Sequence, residues 1–402
     1  MDRVILHSDI NSCFASIERL YRPELCEVPF AVCGDAELRH GIVLAKDDKA
    51  KAAGVKTAMP IWQAKQCCPE LVTVKPHYDR YVRYSEMIRR IYAEYTDLVE
   101  PFGIDECWLD ITNCLACPDP ERTAHEIRER IKSETGLTVS VGVSWNKVLA
   151  KLGSDYKKPD AVTVISRENF RELVWNLPAG DMLMVGRSTT AALKRMGIYT
   201  IGELASADVG LIRARLGKMG AVIHDYANGI DNSRVRRIGE REPPKSIGNS
   251  VTGAKDIASE RDAECTLLML ADSVASRLRS EGFACRTLEI ALRYTDLTWR
   301  THRMRLYRAS DTTDELARYG AELLAACHEF PTPLRSLGLR ALELVNAGEY
   351  EQVDMFSDHA GIDRCRRIDR TVDSIRAKYG SGMIQRASLL GRTGTGFCSL
   401  PD

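Results

Sequence analysis

No run of about 18 consecutive apolar residues occurs in the 402-residue chain, which leaves no candidate for a bilayer-crossing helix. The first residues carry no apolar stretch behind a basic start, so the cytoplasm is the expected location. Net charge is absent too. The 56 Lys and Arg stand against 56 Asp and Glu, which removes the usual mark of a nucleic-acid binder, a strongly basic whole domain. Gly and Pro, at 28 and 15, are too few for a fibrous or low-complexity chain. The 13 Cys are an odd number without disulfide-framework spacing. One CxxC, Cys114 to Cys117, lacks a second pair or a His at zinc-site spacing and alone argues only weakly for metal or redox chemistry. What remains is an ordinary globular composition, 44% hydrophobic and 28% charged, too long for one core. Roughly two to four domains are expected.

Val4 to Ser8 reads as a short buried strand, and Asp9 stands where that strand gives way to helical spacing at Phe14, Ile17 and Leu20. Phe30 to Cys33 and Ile42 to Ala45 read as strands of a small inserted region ending near Cys68-Pro69-Glu70. Tyr78 to Tyr95 has helical spacing, and Leu98 to Phe102 with Cys107 to Ile111 forms a hairpin around Gly103 to Glu106. A helix at Glu121 to Glu134, a strand at Thr138 to Val143 and a helix at Lys147 to Ser154 complete an α+β domain to about residue 166. Residues 167–232 show short helical pieces punctuated by glycine and no convincing strand. A polar linker, Ser233 to Pro244, ends in two prolines that favour extended chain. Alternation at Leu288 to Leu292, at Arg303 to Leu306 and along Leu337 to Val345, with helices between, reads as two helices on a four-stranded sheet. A tail follows, with one helix near Asp363 to Tyr379.

Three acids occupy strand ends: Asp9, Asp105 and Glu106. Glu94 to Asp110 contains six acids and no Lys or Arg, so the cluster needs a cation, and hard oxygen ligands suit Mg²⁺. Two such ions can clamp the attacking and leaving oxygens of an in-line displacement. The same residues also suit local structure, Asp105-Glu106 as a turn and Asp9 as a helix N-cap. Residues 146–158 hold four Lys and one Asp, a local excess suited to a triphosphate or a nucleic-acid strand, or to a solvated helix face.

Val4 to Glu18 (VILHSDINSCFASIE), Gly103 to Thr112 (GIDECWLDIT), Ser140 to Lys151 (SVGVSWNKVLAK) and Ser154 to Pro159 (SDYKKP), in this order and spacing, resemble the Y-family translesion DNA polymerases of bacteria. The resemblance implies an α+β multidomain right hand. Its parts are a palm (1–10 and 77–166), small fingers (11–76), a helical thumb with a helix-hairpin-helix (167–232), a linker (233–244), an α/β little finger (245–346), and a clamp-binding motif with a basic tail (347–402). It implies that Asp9, Asp105 and Glu106, with the carbonyl of Ile10, hold two Mg²⁺ ions. Cys13 and Phe14 lie against the incoming dNTP, with Phe14 as a gate against a ribose 2′-hydroxyl, and Lys158 reaches the triphosphate. Asp48 and Lys51 stand where many members carry Tyr and Arg on that triphosphate. Lys51 can serve as a point charge, whereas Asp48 repels phosphate.

Further along, Gly186 and Arg187 match the hairpin that holds a DNA phosphate, with one glycine where two are frequent. Lys245 opens the first little-finger strand. Residues 286–308 hold six Arg and two acids, and an outward row including Arg293, Arg300, Arg303 and Arg305 is expected to follow the template backbone. Gln352, Met355 and Phe356 resemble the peptide that docks on the β subunit of the bacterial sliding clamp. The implied function is low-fidelity translesion synthesis by a monomer on primer-template DNA, with no membrane partner. The alternatives are a catalytically inactive polymerase-like adaptor at the clamp, for which Asp48 is the one supporting feature, and a palm-like nucleotide cyclase, which leaves the thumb, the Arg row and the clamp peptide unexplained. Zero net charge is then cancellation between regions, with 286–308 and 360–392 basic by four and five charges.

Overall fold

A computed structural model describes residues 2–35, 41–347, 359–380 and 382–389. Gln352, Met355 and Phe356 lie outside the described residues. Two compact units emerge, one built from residues 1–34 and 42–241 and the other chiefly from residue 242 onward. The strands are β1 (Ile5–Ile10), β2 (Phe30–Cys33), β3 (Val43–Lys46), β4 (Val72–Val74), β5 (Val99–Pro101), β6 (Glu106–Asp110), β7 (Val139–Ser144), β8 (Val162–Val164), β9 (Ser246–Ile257), β10 (Phe283–Tyr294), β11 (Trp299–Ser310) and β12 (Leu334–Asn346). Among the described residues, no helix is long and apolar enough to cross a membrane.

The first unit is organised by a five-stranded sheet in the order β5-β6-β1-β7-β8. β1 is its centre, hydrogen-bonded antiparallel to β6 on one side and β7 on the other. All six of its side chains are buried, because both faces are covered. Leu6 and Ile10 pack with helices Tyr78–Ala93 and Pro120–Thr135 through Ile88, Ile127 and Ile131. Helix Lys147–Tyr156 lies on the opposite face. Its start is fixed by Asn146, whose Oδ1 accepts the Leu149 N–H (2.9 Å) while its Nδ2 donates to the Gly229 carbonyl (3.0 Å).

Residues between β1 and helix Tyr78–Ala93 form a separate small sheet, β3-β2-β4, with its own apolar cluster around Ala31, Val43, Val55 and Ala64. Residues 170–227 form short helices around Leu193, Ile201, Leu204, Ile212 and Ile223. Two of them start on polar caps, one on Asp208 and one on a reciprocal Thr200–Glu203 box. The linker departs from its polar sequence in one respect. Val235 is buried against Ile5, Trp108 and Ala150, and Arg236 donates through both its backbone N–H and its guanidinium to Glu100.

The second unit is an antiparallel sheet in the order β11-β10-β12-β9. Helices Glu260–Ser280 and Thr313–Cys327 cover one face, packing Leu267, Leu270, Val274 and Leu316 on Leu288, Ile290, Leu292, Leu337 and Leu339. A third helix, His359–Tyr379, is attached by charge. Arg279 reaches Asp369 (3.1 Å) and Asp373 (2.7 Å), and Arg376 reaches Asp272 (2.6 Å).

Candidate active site

Alternation along β1 decides what faces what. Ser8 accepts from the Tyr92 hydroxyl (2.8 Å) on the side of helix Tyr78–Ala93, whereas His7 and Asp9 turn to helix Lys147–Tyr156 and the residues just after it. The β1–β6 register sets Asp9 opposite Glu106. Directly opposed residues share a face, about 5 Å apart at Cβ, so the two carboxylates stand side by side. Asp105 precedes β6, and its carbonyl accepts the Ile10 N–H (3.0 Å), tying the end of β1 to the turn. Asp9 therefore lies inside the strand and not at its junction with a helix. The helix Cys13–Tyr21 takes Ser12 as N-cap, with no side-chain capping bond, so Asp9 has no capping role.

Two lysines meet these acids. Lys158 Nζ is 2.6 Å from Asp9 Oδ2 and 2.8 Å from Asp155 Oδ1, and Lys151 Nζ is 2.5 Å from Glu106 Oε2. His7, with no exposed side-chain surface, sets Nε2 3.1 Å from Glu106 Oε2 and Nδ1 2.8 Å from Ser154 Oγ. Burial pushes the Asp9 carboxyl up despite Lys158, and Glu106 adds to the rise. Asp105 is raised by burial and then by the charges of Asp9 and Glu106. Burial would raise Glu106 as well, but His7 and Lys151 outweigh it and hold the carboxyl down at about 2. Burial lowers the His7 imidazole.

As the side chains are turned, Lys151 and Lys158 engage Glu106 and Asp9, and no three His, Cys, Asp or Glu groups among the described residues surround one point. The donor set nevertheless fits a hard divalent cation. It is all oxygen, and the charges of Asp9 and Glu106 raise the Asp105 carboxyl, a repulsion that a cation between them relieves.

Phe14 is half-buried on helix Cys13–Tyr21. Its ring stacks on Tyr81 (centroids 4.1 Å, planes 11° apart) and meets Tyr78 edge-on at 5.8 Å. The Tyr81 hydroxyl donates to Glu18 Oε1 (2.7 Å), a fully buried carboxylate that also receives Arg80. The Phe14 ring is thus held by an anchored neighbour. Cys13 beside it is buried, which pushes its thiol up. Asp48 and Lys51 are exposed on the short helix Asp48–Ala52. Asp47, buried, fixes that helix by accepting from Ala50 N (2.9 Å) and Phe30 N (3.0 Å).

Gly186 is the N-cap of helix Arg187–Arg195 and offers no side-chain cap. Two residues earlier Met184 is 58% exposed at φ 69°, a left-handed backbone conformation that favours glycine. A cavity of about 400 Å³ between this loop and helix Lys147–Tyr156 is lined by Lys151, Asp155, Met182 and Met184.

In the second unit, Lys245 is exposed just before β9, and Arg305 is exposed on β11. Two of the expected arginines differ from Arg305 in their surroundings. Arg303, 65% exposed on the same face as Arg305, sets its Nε 2.6 Å from buried Glu289, which Arg340 also approaches at 3.3 Å, so two guanidiniums share one carboxylate and a positive charge remains. Arg300 is registered opposite core Leu292 and therefore points to the face away from Arg303 and Arg305, with its guanidinium 5.4 Å from the Tyr294 ring. Arg293 lies over Trp299 at 5.3 Å. His7 and Ser154 went unread in the sequence. A polar residue directly after the apolar run Val4-Ile5-Leu6 of a buried strand is the only trace that His7 leaves there.

The impB/mucB/samB family model matches residues 8–155, and its C-terminal domain model matches residues 244–355. The DNA polymerase IV of Acetivibrio thermocellus is 44% identical over 391 residues, covering 97% of this chain and 98% of that relative. The chain belongs to the Y-family DNA polymerases. Membership makes it a DNA-directed DNA polymerase of the translesion class. Another Y-family relative, the DNA polymerase IV 1 of Bacillus subtilis, is 38% identical over 96% of this chain and 93% of its own length. A solved Y-family DNA polymerase chimera shares the fold, with a TM-score of 0.74 over 85% of this chain and 99% of that one at 21% identity.

Proposed function

We propose that this polymerase adds deoxynucleotides to a primer 3′-hydroxyl by two-metal nucleotidyl transfer and does so with low fidelity past damaged template bases. The observation that carries the reading is the register of Asp9 against Glu106, with Asp105 adjoining and two lysines on the same face. Asp9, Asp105, Glu106 and the carbonyl of Ile10 would hold two Mg²⁺ ions. Such ions lower the pKa of an attacking hydroxyl and neutralise a leaving pyrophosphate. Lys158, a compact cation on an extended segment, turns from Asp9 to the triphosphate once the acids are otherwise neutralised. The Phe14 ring excludes a 2′-hydroxyl. Lys51 supplies a second charge to the phosphates, and Asp48 beside it weakens nucleotide affinity.

On this reading the five-stranded sheet is the palm, β2 to β4 the fingers, residues 167–232 the thumb and residues 245–346 the little finger. Small fingers close loosely over the nascent pair, which is the source of low fidelity. Gly186 and Arg187 grip DNA phosphate, while Arg293, Arg305 and Lys245 supply charge along the template. Gln352, Met355 and Phe356 tether a monomeric enzyme to the sliding clamp.

Primer extension by Asp105→Ala and Glu106→Ala variants tests the assignment. Extension is expected to fall by at least about 10³-fold while binding of primer-template persists. Extension surviving in the double variant sinks the metal role of these acids.

A further inference from the structure

The thiols of Cys114 and Cys117 lie beyond the far end of β6 from Glu106. β6 ends at Asp110, whose Oδ1 accepts from Thr112 N (3.0 Å) and Thr112 Oγ1 (2.5 Å). The chain then turns twice. Cys114 N donates to Ile111 O, and Cys117 N donates to Cys114 O, each at 3.0 Å, before Asp119 caps helix Pro120–Thr135. The second turn brings the two sulfurs to 2.7 Å. Cys117 is 6% exposed in the apolar cluster beneath the helix, whereas Cys114 is half-buried and Leu115 between them is 98% exposed. No third His, Cys, Asp or Glu among the described residues joins them, and a structural zinc needs four ligands.

We propose that Cys114 and Cys117 form a dithiol that a small-molecule disulfide of the glutathione class closes reversibly into a disulfide within the loop. The Cys114 thiolate, the more accessible, attacks one sulfur of the oxidant, whose S–S bond breaks and releases one thiolate. Cys117 then gives up its proton and attacks the Cys114 sulfur, expelling the second thiolate. The two thiol protons pass through solvent to the two expelled thiolates, and two electrons pass to the oxidant, which leaves as two thiols. Burial, then the neighbouring Cys114 sulfur, pushes the Cys117 thiol up to about 11, so Cys117 resolves and does not initiate, and closure accelerates as pH rises. The pair stands at the opposite end of β6 from Glu106, so closure secures the loop and leaves nucleotide addition unchanged.

The test is to equilibrate the full-length reduced protein with glutathione disulfide, block free thiols, and digest it without reductant for mass spectrometry. The loop peptide is expected to lose two hydrogens and regain them with dithiothreitol, at unchanged primer extension. Cys117→Ser is expected to stop at a glutathione adduct on Cys114, and Cys114→Ser to leave Cys117 unmodified. Three outcomes overturn the proposal. One is wild-type protein carrying glutathione on Cys114 with Cys117 free. Another is both thiols unmodified under conditions that close a CxxC control peptide. The last is stoichiometric zinc in the reduced protein.

Discussion

Replacing Gly142 by alanine adds a methyl group where strand and helix backbones touch. A Cβ at this position on β7 lies 1.9 Å from Ala150 O, 2.5 Å from Ser154 N and 2.8 Å from Gly153 C, all backbone atoms of helix Lys147–Tyr156. Ordinary contact begins at 3.4 Å, so the helix must withdraw by about 1.5 Å, since no side-chain rotation relieves a backbone collision. The lost packing should cost about 3 kcal/mol or more, at the upper end for overpacked cores. The same withdrawal carries Lys151 away from Glu106 and the segment bearing Lys158 away from Asp9, contacts now at 2.5 and 2.6 Å. A displacement near 1 Å costs catalysis about 10²-fold. Single-turnover primer extension, with thermal melting on the same samples, reads both effects. Gly153→Ala is the milder control, its Cβ meeting Gly142 Cα at 3.1 Å and Thr163 O at 3.3 Å, and it should fall between wild type and Gly142→Ala in both assays. Full extension by a Gly142→Ala protein whose melting point has dropped would refute the claim that helix position sets the site.

Asp105→Asn should abolish extension yet raise stability without metal by about 1 kcal/mol, or about 2–4 °C in Tm. The folded state holds the Asp105 carboxyl above its ordinary range, so ionisation there costs stability. The gain should vanish below about pH 4 and grow as pH rises through the folded value; a gain that shrinks over that interval contradicts the raised carboxyl. Glu106 carries the opposite sign: held at about 2, its contribution is complete above the ordinary carboxyl range and is lost as pH falls toward 2. Phe14→Ala should admit ribonucleotides in competition assays, and undiminished discrimination would make the ring purely structural. Met184→Gly relieves a left-handed backbone and should add about 1 kcal/mol to stability in denaturant melts. Unchanged melting would mean that the loop relaxes in solution.

Long periodic segments were legible in the sequence. Helices Tyr78–Ala93 and Pro120–Thr135 come within two residues of their expected bounds, and the alternating stretches read for β10, β11 and β12 fall inside longer strands, because one apolar face of each is satisfied by one core. β4 and β8 went unread, since three residues carry no period and each strand exists through a parallel neighbour, β2 and β7 respectively. The three acids were visible as an uncompensated cluster. That Asp9 and Glu106 are cross-strand neighbours is a matter of register, which pairs residues far apart in sequence. For the same reason Arg303 looked free until β10 brought Glu289 beside it. His7 and the burial of Val235 depend on which helix or strand lies overhead, something composition does not encode.

The central place of β1 also dictates an order of assembly. Its partners are residues 106–110 and 139–144, and between them and β1 come the β2–β4 sheet and the helix Tyr78–Ala93. On a ribosome adding about 5–20 residues per second, β1 waits on the order of ten seconds with both hydrogen-bonding edges open. The β2–β4 sheet, with a core of its own, can close meanwhile. Asp9 gains its strand partner Glu106 only when β6 arrives, and its cation only when Lys158 does. A nascent chain stalled before β7 therefore has all three acids synthesised, while β1 has only one of its two neighbours and Asp9 still lacks Lys158.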